Sequence, residues 1–506
     1  MSATGFYSAA RARRSLLHFL GGKVLSALTG ILFLIWVVRI TPSTEYGFFV
    51  ALLAIMEVFY LATGFGLSTM AQRYVAEYRV RASCAAFRRF VGTLVRRRLL
   101  AATLGAAVVV TAWPWLTSWL RLDMPLATRW WVGLWLVVGS STRYLDEVLP
   151  ALLLQGTSQL LSMLANLLRL LCMAGLGAAG LVTDHLVLVG IELGVACVAW
   201  VCGSWALHRY LLRSDGVAGG SDDHYNPVMW SVARRFFVVQ LLGQAWSLNM
   251  ARLLVSRLAG AAQTAAFGFS QALVDMLRNY LPSYLLATWV RPLMVARYVA
   301  TGRVEPVLDM ASAVFKLSLV TLVPFVGVLS IHGDGLVRWL SNGRYGEGAG
   351  PLMAALVALL ALQSLHLCLG MICATLERAA ANVWATAACV GALPLAWWLW
   401  PLLGLLAVPA ALGVAEMVWV VWVAASLRRA GFAVALDWPG LAKVVVAGGM
   451  AAVAVSAWPP AAGPAVLWPV VVAVLVTLGA CVLMKPLTAG ERDLVAQVLP
   501  RRWLLL

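Results

Sequence analysis

Charged residues are scarce in this chain. Only 12% of its 506 residues are Asp, Glu, Lys or Arg, whereas a soluble domain carries about 25%. Hydrophobic residues make up 62%, and the mean hydropathy is +0.87. This composition excludes an ordinary soluble enzyme, a disordered protein and a fibrous protein. It predicts an all-α, polytopic membrane protein, because an apolar chain must satisfy its backbone groups inside the bilayer.

The chain also has few residues that could carry chemistry. Its eight Cys and six His form neither a CxxC pair nor an HExxH motif, so we expect no disulfide framework and no metal site. GxSxG and Walker A motifs are missing too, so we predict no catalytic residues and no cofactor. The largest predicted non-cytoplasmic loop, 332–350, is too small for the external domain of a membrane glycosyltransferase or polymerase.

Long apolar runs fill most of the sequence, and a helix needs about 20 apolar residues to cross the hydrocarbon core. They predict about 14 transmembrane helices. The predicted segments are 19–39, 47–70, 99–119, 131–154, 160–181, 186–207, 236–256, 264–287, 309–331, 351–373, 383–400, 404–425, 440–458 and 465–484.

Acidic residues are outnumbered, 21 against 38 Lys and Arg, which gives a net charge of +17. With a cytoplasmic N-terminus, this map puts 26 of the basic residues in cytoplasmic segments and helix mouths, five on the opposite face and seven within helices. Cytoplasmic loops of membrane proteins carry this excess. The basic charge therefore predicts topology, with both termini cytoplasmic, and makes nucleic-acid binding unnecessary as an explanation.

A segment rich in Gly and Asp, 208–235, follows the sixth helix and reads as a cytoplasmic linker. It divides the chain into an N-lobe of six helices, 1–207, and a C-lobe of six helices, 236–427. Two further helices follow in 428–484. The tail, 485–506, mixes charge with apolar residues at helical spacing, which predicts an interfacial helix on membrane lipids.

Ionisable residues within transmembrane helices are costly, at about 2.5–3.5 kcal/mol each on insertion scales, and they usually face a cavity or a partner. Twelve Asp, Glu, Lys and Arg residues lie inside the predicted helices, away from their ends: Lys23, Glu57, Arg143, Asp146, Glu147, Arg169, Glu192, Arg252, Asp275, Arg278, Lys316 and Glu416. Helical spacing aligns several with amides, namely Gln271 with Asp275 and Arg278, and Gln240 with Gln244 near Arg252.

Two interpretations of these charges stay open. In the first, the cations Lys23, Arg143, Arg252, Arg278 and Lys316 bind an anionic substrate in a central cavity. Glu57, Glu147 and Asp275 are then partner or coupling carboxylates, and Gln240, Gln244 and Gln271 line the cavity. In the second, Arg143 with Glu147 and Asp275 with Arg278 are ion pairs that only fix helix packing. Lys23 and Lys316 have no acid within one helical turn.

The first 80 residues contain Gly21-Gly22-Lys23, Arg39, Glu45-Tyr46-Gly47, Gly64-Phe65-Gly66-Leu67 and Arg73-Tyr74-Val75-Ala76. This run resembles the opening of the Wzx-type polysaccharide flippases of the multidrug/oligosaccharidyl-lipid/polysaccharide exporter superfamily. The fourteen helices, the cytoplasmic termini and the linker after the sixth helix fit the same layout.

The resemblance implies two six-helix lobes in a V, with two extra helices, in the bacterial inner membrane. It implies alternating-access transport of an oligosaccharide on undecaprenyl diphosphate from the cytoplasmic to the outer leaflet, with coupling to H⁺ or Na⁺ left open. Other polysaccharide-assembly membrane proteins are candidate partners. A lipid II flippase, a multidrug exporter of the same fold and a membrane glycan polymerase or ligase remain alternatives, although the Ser-Gly-Asp element of lipid II flippases is missing.

Overall fold

The computed structural model describes residues 26–152, 154–182, 184–213, 229–376, 378–432, 437–459 and 463–492. In these ranges the chain forms helices joined by short turns. The earlier helices are α1 (Ser26–Ile40), α2 (Ser43–Ala62), α3 (Leu67–Arg81), α4 (Cys84–Thr111), α5 (Trp113–Leu120), α6 (Thr128–Ala151), α7 (Gln155–Ala178), α8 (His185–Arg213) and α9 (Met229–Gln244). The later helices are α10 (Leu248–Arg278), α11 (Pro282–Leu285), α12 (Ala287–Thr301), α13 (Glu305–Leu340), α14 (Ala349–Thr375), α15 (Ala379–Ala388), α16 (Ala392–Leu403), α17 (Ala407–Arg429), α18 (Trp438–Ser456) and α19 (Leu467–Met484).

This architecture confirms the predicted all-α polytopic fold. Among the described residues, eight helical stretches are long and apolar enough to span a membrane, one of them running from Ala381 to Arg429. The pair α4 and α5, bent by 67°, makes a ninth. The helices α6 and α10 are long enough to span as well, but both carry several charged residues, which lowers their hydropathy. The count of about fourteen is compatible with these helices.

The chain divides into two compact units. The first contains Met1–Gln244 and Arg252–Ala265, and the second contains Ala245–Ala251 and Ala266–Leu506. We expected the C-lobe to begin at residue 236, whereas packing groups all of α9 with the first unit. The middle of the predicted linker, 214–228, and most of the predicted tail, 493–506, lie outside the described residues, while α8 and α9 occupy the ends of the linker. The roles of the linker and the tail stay predictions.

The core of the first unit lies among α3, α4 and α6. Met70, Leu94 and Leu149 are all at most 2% exposed there, and Tyr144 is 1% exposed. The helix α4 begins at Cys84, fifteen residues before the predicted start of the third segment. Ser83 caps it, because its hydroxyl accepts the backbone N–H of Ala86 at 3.2 Å. The stretch 71–98, between the second and third predicted segments, is therefore helical almost throughout, since α3 and α4 occupy it.

The second unit is built around α13, which has 36 residues. It packs against α14, α18 and α19, and its Val328 is buried with Val455 of α18 and Ala473 of α19. A methyl group at Gly448 of α18 would collide with Val323, so the two helices approach closely there. Since α13 continues to Leu340, the predicted outer loop 332–350 is shorter than expected.

The helix α10 overturns two predicted boundaries. The seventh predicted segment, 236–256, is interrupted after Gln244, and Ser247 caps a new helix by accepting the N–H of Met250 at 3.3 Å. That helix continues through the predicted loop 257–263. Gly260 interrupts it with φ +76° and ψ −176°, so two helical pieces meet at this residue. Positive φ costs glycine little, which explains the residue at the break.

Candidate functional site: two sets of charged side chains

An ion pair connects α6 and α2 in the first unit. Nη2 of Arg143 lies 2.5 Å from Oε1 of Glu57, and the two side chains are 42% and 31% exposed. The sequence, which shows partners only within one helix, suggested Glu147 as the partner of Arg143, and the structure corrects this. Glu147 instead accepts a hydrogen bond of 2.7 Å from the hydroxyl of Tyr60. Of the two predicted carboxylates, Glu57 thus contacts Arg143 and Glu147 contacts Tyr60.

Arg98 of α4 completes this cluster and was missed, because sequence reasoning left it in a cytoplasmic segment. It is 1% exposed, and its guanidinium lies 4.4 Å from the ring centre of Tyr60. Its Nη1 donates to the carbonyl of Tyr60 at 3.1 Å. The signal was present, since Phe87, Val91 and Leu94 precede Arg98 at i, i+4 and i+7, the spacing of one buried helix face.

A second ion pair of the first unit joins α7 and α8. Arg169 donates from Nε and Nη2 to the two carboxylate oxygens of Glu192, at 2.8 and 3.1 Å. Its Nη1 donates to the amide oxygen of Asn166 at 2.9 Å, and Asn166 donates to Ser26 at 2.6 Å. The bidentate ion pair joins α7 to α8, and the hydrogen bond from Asn166 to Ser26 joins α7 to α1. These contacts favour the packing interpretation for Arg169 and Glu192.

The glycine-rich opening motif is part of the framework of the first unit. A methyl group at Gly47 would collide with the carbonyl of Ala261, and one at Gly66, where φ is +75°, would collide with the carbonyl of Ala233. Glu45 of the same motif accepts from both Nδ1 and the backbone N–H of His185, at 2.6 and 2.9 Å. These residues therefore act in close helix packing.

In the second unit Arg278 and Asp275 form an ion pair within α10, with 2.7 Å between Nη2 and Oδ1. Their side chains are 33% and 25% exposed. Gln271, 2% exposed, donates to the other oxygen of Asp275 at 3.4 Å. Arg278 also lies 5.9 Å from the ring centre of Tyr284. Asp275 thus contacts both Gln271 and Arg278, the two residues that helical spacing predicts on the same helix face.

Lys316 of α13 is fully buried and has two carboxylate partners distant in sequence. Its Nζ lies 2.5 Å from Oδ2 of Asp437, 2.7 Å from Oε2 of Glu491 and 3.0 Å from the carbonyl of Pro486. An ammonium group has three donors, and three acceptors surround it here. Burial raises the pKa of Asp437, but its hydrogen bonds from Lys316 and from the N–H of Gly440, with the charges of Lys316 and Lys443, hold that pKa below its usual range. These contacts favour a packing role for Lys316.

The remaining predicted residues are placed as follows. Gln240 is half-buried on α9, and Gln244 is 8% exposed with no hydrogen-bond partner for Nε2. Arg252 on α10 is 9% exposed. Lys23 lies outside the described residues. In the described ranges, no three His, Cys, Asp or Glu side chains lie close enough to hold a metal ion.

Sequence reasoning also missed a pair in the second unit. His366 of α14 lies with Nδ1 2.8 Å from Oε2 of Glu416, which is on α17. The imidazole is stacked on the indole of Trp419, with 3.5 Å between ring centres and an angle of 8°. Spacing along one helix carries no signal of a partner on another, and a single His within an apolar run is usually a core residue.

No protein-family model matches the chain, and no curated protein matches its sequence. Solved structures do match its fold. The lipid II flippase MurJ, in an inward closed conformation, matches with a TM-score of 0.67 at 12% sequence identity. The match spans 95% of this chain and 99% of the MurJ chain. The chain has the fold of this flippase.

Transporters of the MATE family match as well. One is described as an inward-facing multidrug resistance MATE transporter of the MOP superfamily, and it matches with a TM-score of 0.56 at 14% sequence identity. The match spans 80% of this chain and 95% of that transporter chain. A MATE structure in a bent conformation matches with a TM-score of 0.53 at 15% sequence identity, over 81% of this chain and 93% of the MATE chain. About a fifth of this chain therefore has no counterpart in them.

Proposed function

We propose that the protein is a flippase that moves an oligosaccharide on undecaprenyl diphosphate from the cytoplasmic to the outer leaflet. The observation that carries this proposal is that each unit has a partly exposed arginine, Arg143 at 42% in the first and Arg278 at 33% in the second. The fold that contains them is shared with a lipid flippase. Moving a diphosphate out of water is costly unless other groups replace its hydration. Guanidinium groups do this through short, charge-assisted hydrogen bonds.

The carboxylate partners of these arginines fit the same task. Glu57 holds Arg143 and Asp275 holds Arg278, so neither guanidinium presents its full charge to a bound diphosphate. A moderate attraction lets the substrate leave on the far side of the membrane. These acids, with Glu147, are the partner carboxylates of the proposed substrate site.

Two observations support a lipid-linked substrate over a drug. MurJ, named a lipid II flippase, matches 95% of this chain, whereas the MATE transporters match about four fifths of it. The opening motif resembles that of polysaccharide flippases, and the Ser-Gly-Asp element of lipid II flippases is missing from the sequence. We therefore propose an oligosaccharide repeat unit as the cargo, in the bacterial inner membrane, beside other polysaccharide-assembly proteins and with both termini cytoplasmic.

Reconstitution tests the substrate directly. Liposomes containing the purified protein would receive labelled undecaprenyl-diphosphate oligosaccharide, lipid II or a cationic dye, and an impermeant glycosidase or quencher would report which molecules changed leaflet. We expect the oligosaccharide lipid to cross unaltered, more slowly in Arg143→Gln, and at the wild-type rate in Arg303→Gln, whose side chain is 73% exposed.

The alternatives give other results in the same liposomes. Movement of lipid II alone identifies a lipid II flippase, and movement of the dye alone identifies a drug exporter. A glycan that is lengthened or transferred by the purified protein identifies a polymerase or ligase. Any of these three outcomes overturns the proposed cargo.

A further inference from the structure

His366 differs from the two buried histidines, His185 and His332, in how its ring is held. His185 has both ring nitrogens in use, with Glu45 at 2.6 Å and Thr128 at 3.3 Å, and is 3% exposed. His332 is 1% exposed and lies 3.2 Å from the carbonyl of Val455. The side chain of His366 is 27% exposed, and its hydrogen bond is made through Nδ1. Its Nε2 is therefore the ring nitrogen that remains to accept a proton.

The carboxylate beside His366 is buried. Glu416 has a side-chain exposure of 5%, and a buried carboxylate without a compensating positive charge is costly. A carboxylate that accepts from Nδ1 fixes the neutral ring with its proton on Nδ1, which leaves the lone pair on Nε2. When hydronium transfers its proton to Nε2, an N–H bond forms, an O–H bond breaks and water leaves. The pair then changes from a net charge of −1 to 0.

Aromatic rings fix the position of the imidazole. Trp419, which is 0% exposed, is stacked on one side of it. Trp246 lies 6.0 Å away, centre to centre, at an angle of 27°. Trp246 is in the interruption between α9 and α10, next to the capping residue Ser247. A charge gained on the ring is therefore gained beside the interruption between α9 and α10, and backbone outside regular helix is typical of transporter ion sites.

The other titratable groups near this pair come from three further elements. Cys389, in the short 3-10 turn after α15, lies within electrostatic range of Glu416 and donates its thiol proton to the carbonyl of Ala415. Tyr284 of α11 lies within electrostatic range of Glu416 and of Arg278, Asp275 and Cys368. Of these groups, the formally charged ones are Arg278 and Asp275, which neutralise each other.

We propose that His366 and Glu416 form a proton-binding site of the second unit, and that the proton exchanged at Nε2 is the coupling ion of transport. The role of this proton as a coupling ion rests on the proposed transport function, whereas the proton site itself does not. Proton binding gives His366 a positive charge that offsets the negative charge of Glu416.

The proton site is tested without any substrate. Proteoliposomes adsorbed on a solid-supported membrane would be exposed to a rapid pH jump, and the charge displaced by proton binding recorded. We expect a transient in the wild type, its loss in His366→Gln, which keeps a donor for Glu416, and its retention in His185→Gln, the matched His–Glu pair of the first unit. If His366→Gln does not fold, His366→Phe keeps the ring stacked on Trp419 and must also lack the transient.

Transport assays on the same liposomes separate this inference from the cargo. We expect the flipping rate to depend on an imposed pH gradient in the wild type and to lose that dependence in His366→Gln. A wild type without a transient, or a transient or pH dependence that persists in folded His366 variants, overturns the proton site even when lipid is flipped. A transient that depends on His366 without movement of the oligosaccharide lipid overturns the cargo and leaves the site.

Discussion

The amine of Lys316 lies 2.7 Å from the carboxylate of Glu491, and the two side chains are 0% and 2% exposed. They are 175 residues apart in sequence, one on α13 and the other beyond the end of α19. Glu491 also accepts the backbone N–H of Thr488 at 2.7 Å, and the hydroxyl of Thr488 accepts the N–H of Glu491 at 3.4 Å. This reciprocal pattern is a capping box, which fixes Glu491 where Lys316 needs it.

Removing the amine should therefore destabilise the second unit. We expect Lys316→Met to lower the free energy of unfolding by about 3–5 kcal/mol, because it leaves a buried carboxylate without its counter-charge. Lys443→Met is the matched control, since Lys443 is exposed and donates at 3.4 Å to the carbonyl of Lys485, and it should cost less than about 1 kcal/mol. Unfolding in detergent, followed by circular dichroism, measures both. Equal stability of the two variants would contradict a packing role for Lys316.

The apolar runs were sufficient to predict the all-α polytopic fold, because hydropathy is a property of each segment by itself. The partners of the charges were not predictable in the same way. Spacing correctly paired Asp275 with Arg278, which share one helix, but it could not pair Arg143 with Glu57, or Lys316 with Glu491, because those pairs depend on which helices are neighbours. Arg98 was missed for a different reason, since the charged first half of α4 has the composition of a loop.

The acid sensitivity of the Lys316 cluster follows from Asp437, whose pKa lies below its usual range. A carboxyl with a depressed folded-state pKa stabilises the fold above its unfolded pKa and loses that contribution as the pH falls through the folded value. We expect Asp437→Asn to be less stable than the wild type near neutral pH. The difference should shrink below about pH 4, the ordinary range of Asp. Melting temperatures of both proteins across this range provide the test, and a difference that grows on acidification would contradict it.

The ion pairs of the first unit should respond differently to the loss of their arginines. Arg169 holds both oxygens of Glu192, which is 11% exposed, so Arg169→Met should lower the free energy of unfolding by about 3 kcal/mol. Arg143→Met breaks a pair that is 42% and 31% exposed, which costs at most about 1 kcal/mol. Flipping should fall in Arg143→Met beyond what its small loss of stability explains. A stability loss in Arg143→Met as large as that of Arg169→Met would make both pairs structural.

Two arginines that the sequence predicts on opposite faces of the membrane test the orientation. Arg303 follows α12 in a predicted cytoplasmic turn and Arg344 follows α13 in a predicted outer one, and both are exposed. In a chain without its native cysteines, we expect Arg344→Cys to react with an impermeant maleimide on intact cells. Arg303→Cys should react only after permeabilisation, with the cysteine-free chain as the background. The reverse pattern would invert the topology and put the termini outside.

Asp275 and Arg278 decide whether the pair in α10 binds substrate or only fixes packing. If Arg278 contacts the diphosphate, Arg278→Ala should reduce flipping strongly, and adding Asp275→Ala should not restore it, because the substrate still lacks its cation. If the pair only neutralises itself, Arg278→Ala strands Asp275, and the double change to Ala should restore stability and flipping together. Side chains in contact are coupled by about 0.5–3 kcal/mol, which a double-mutant cycle on melting temperature resolves. Flipping measured on the same four proteins separates the two roles, and its recovery in the double variant would remove this pair from the substrate path.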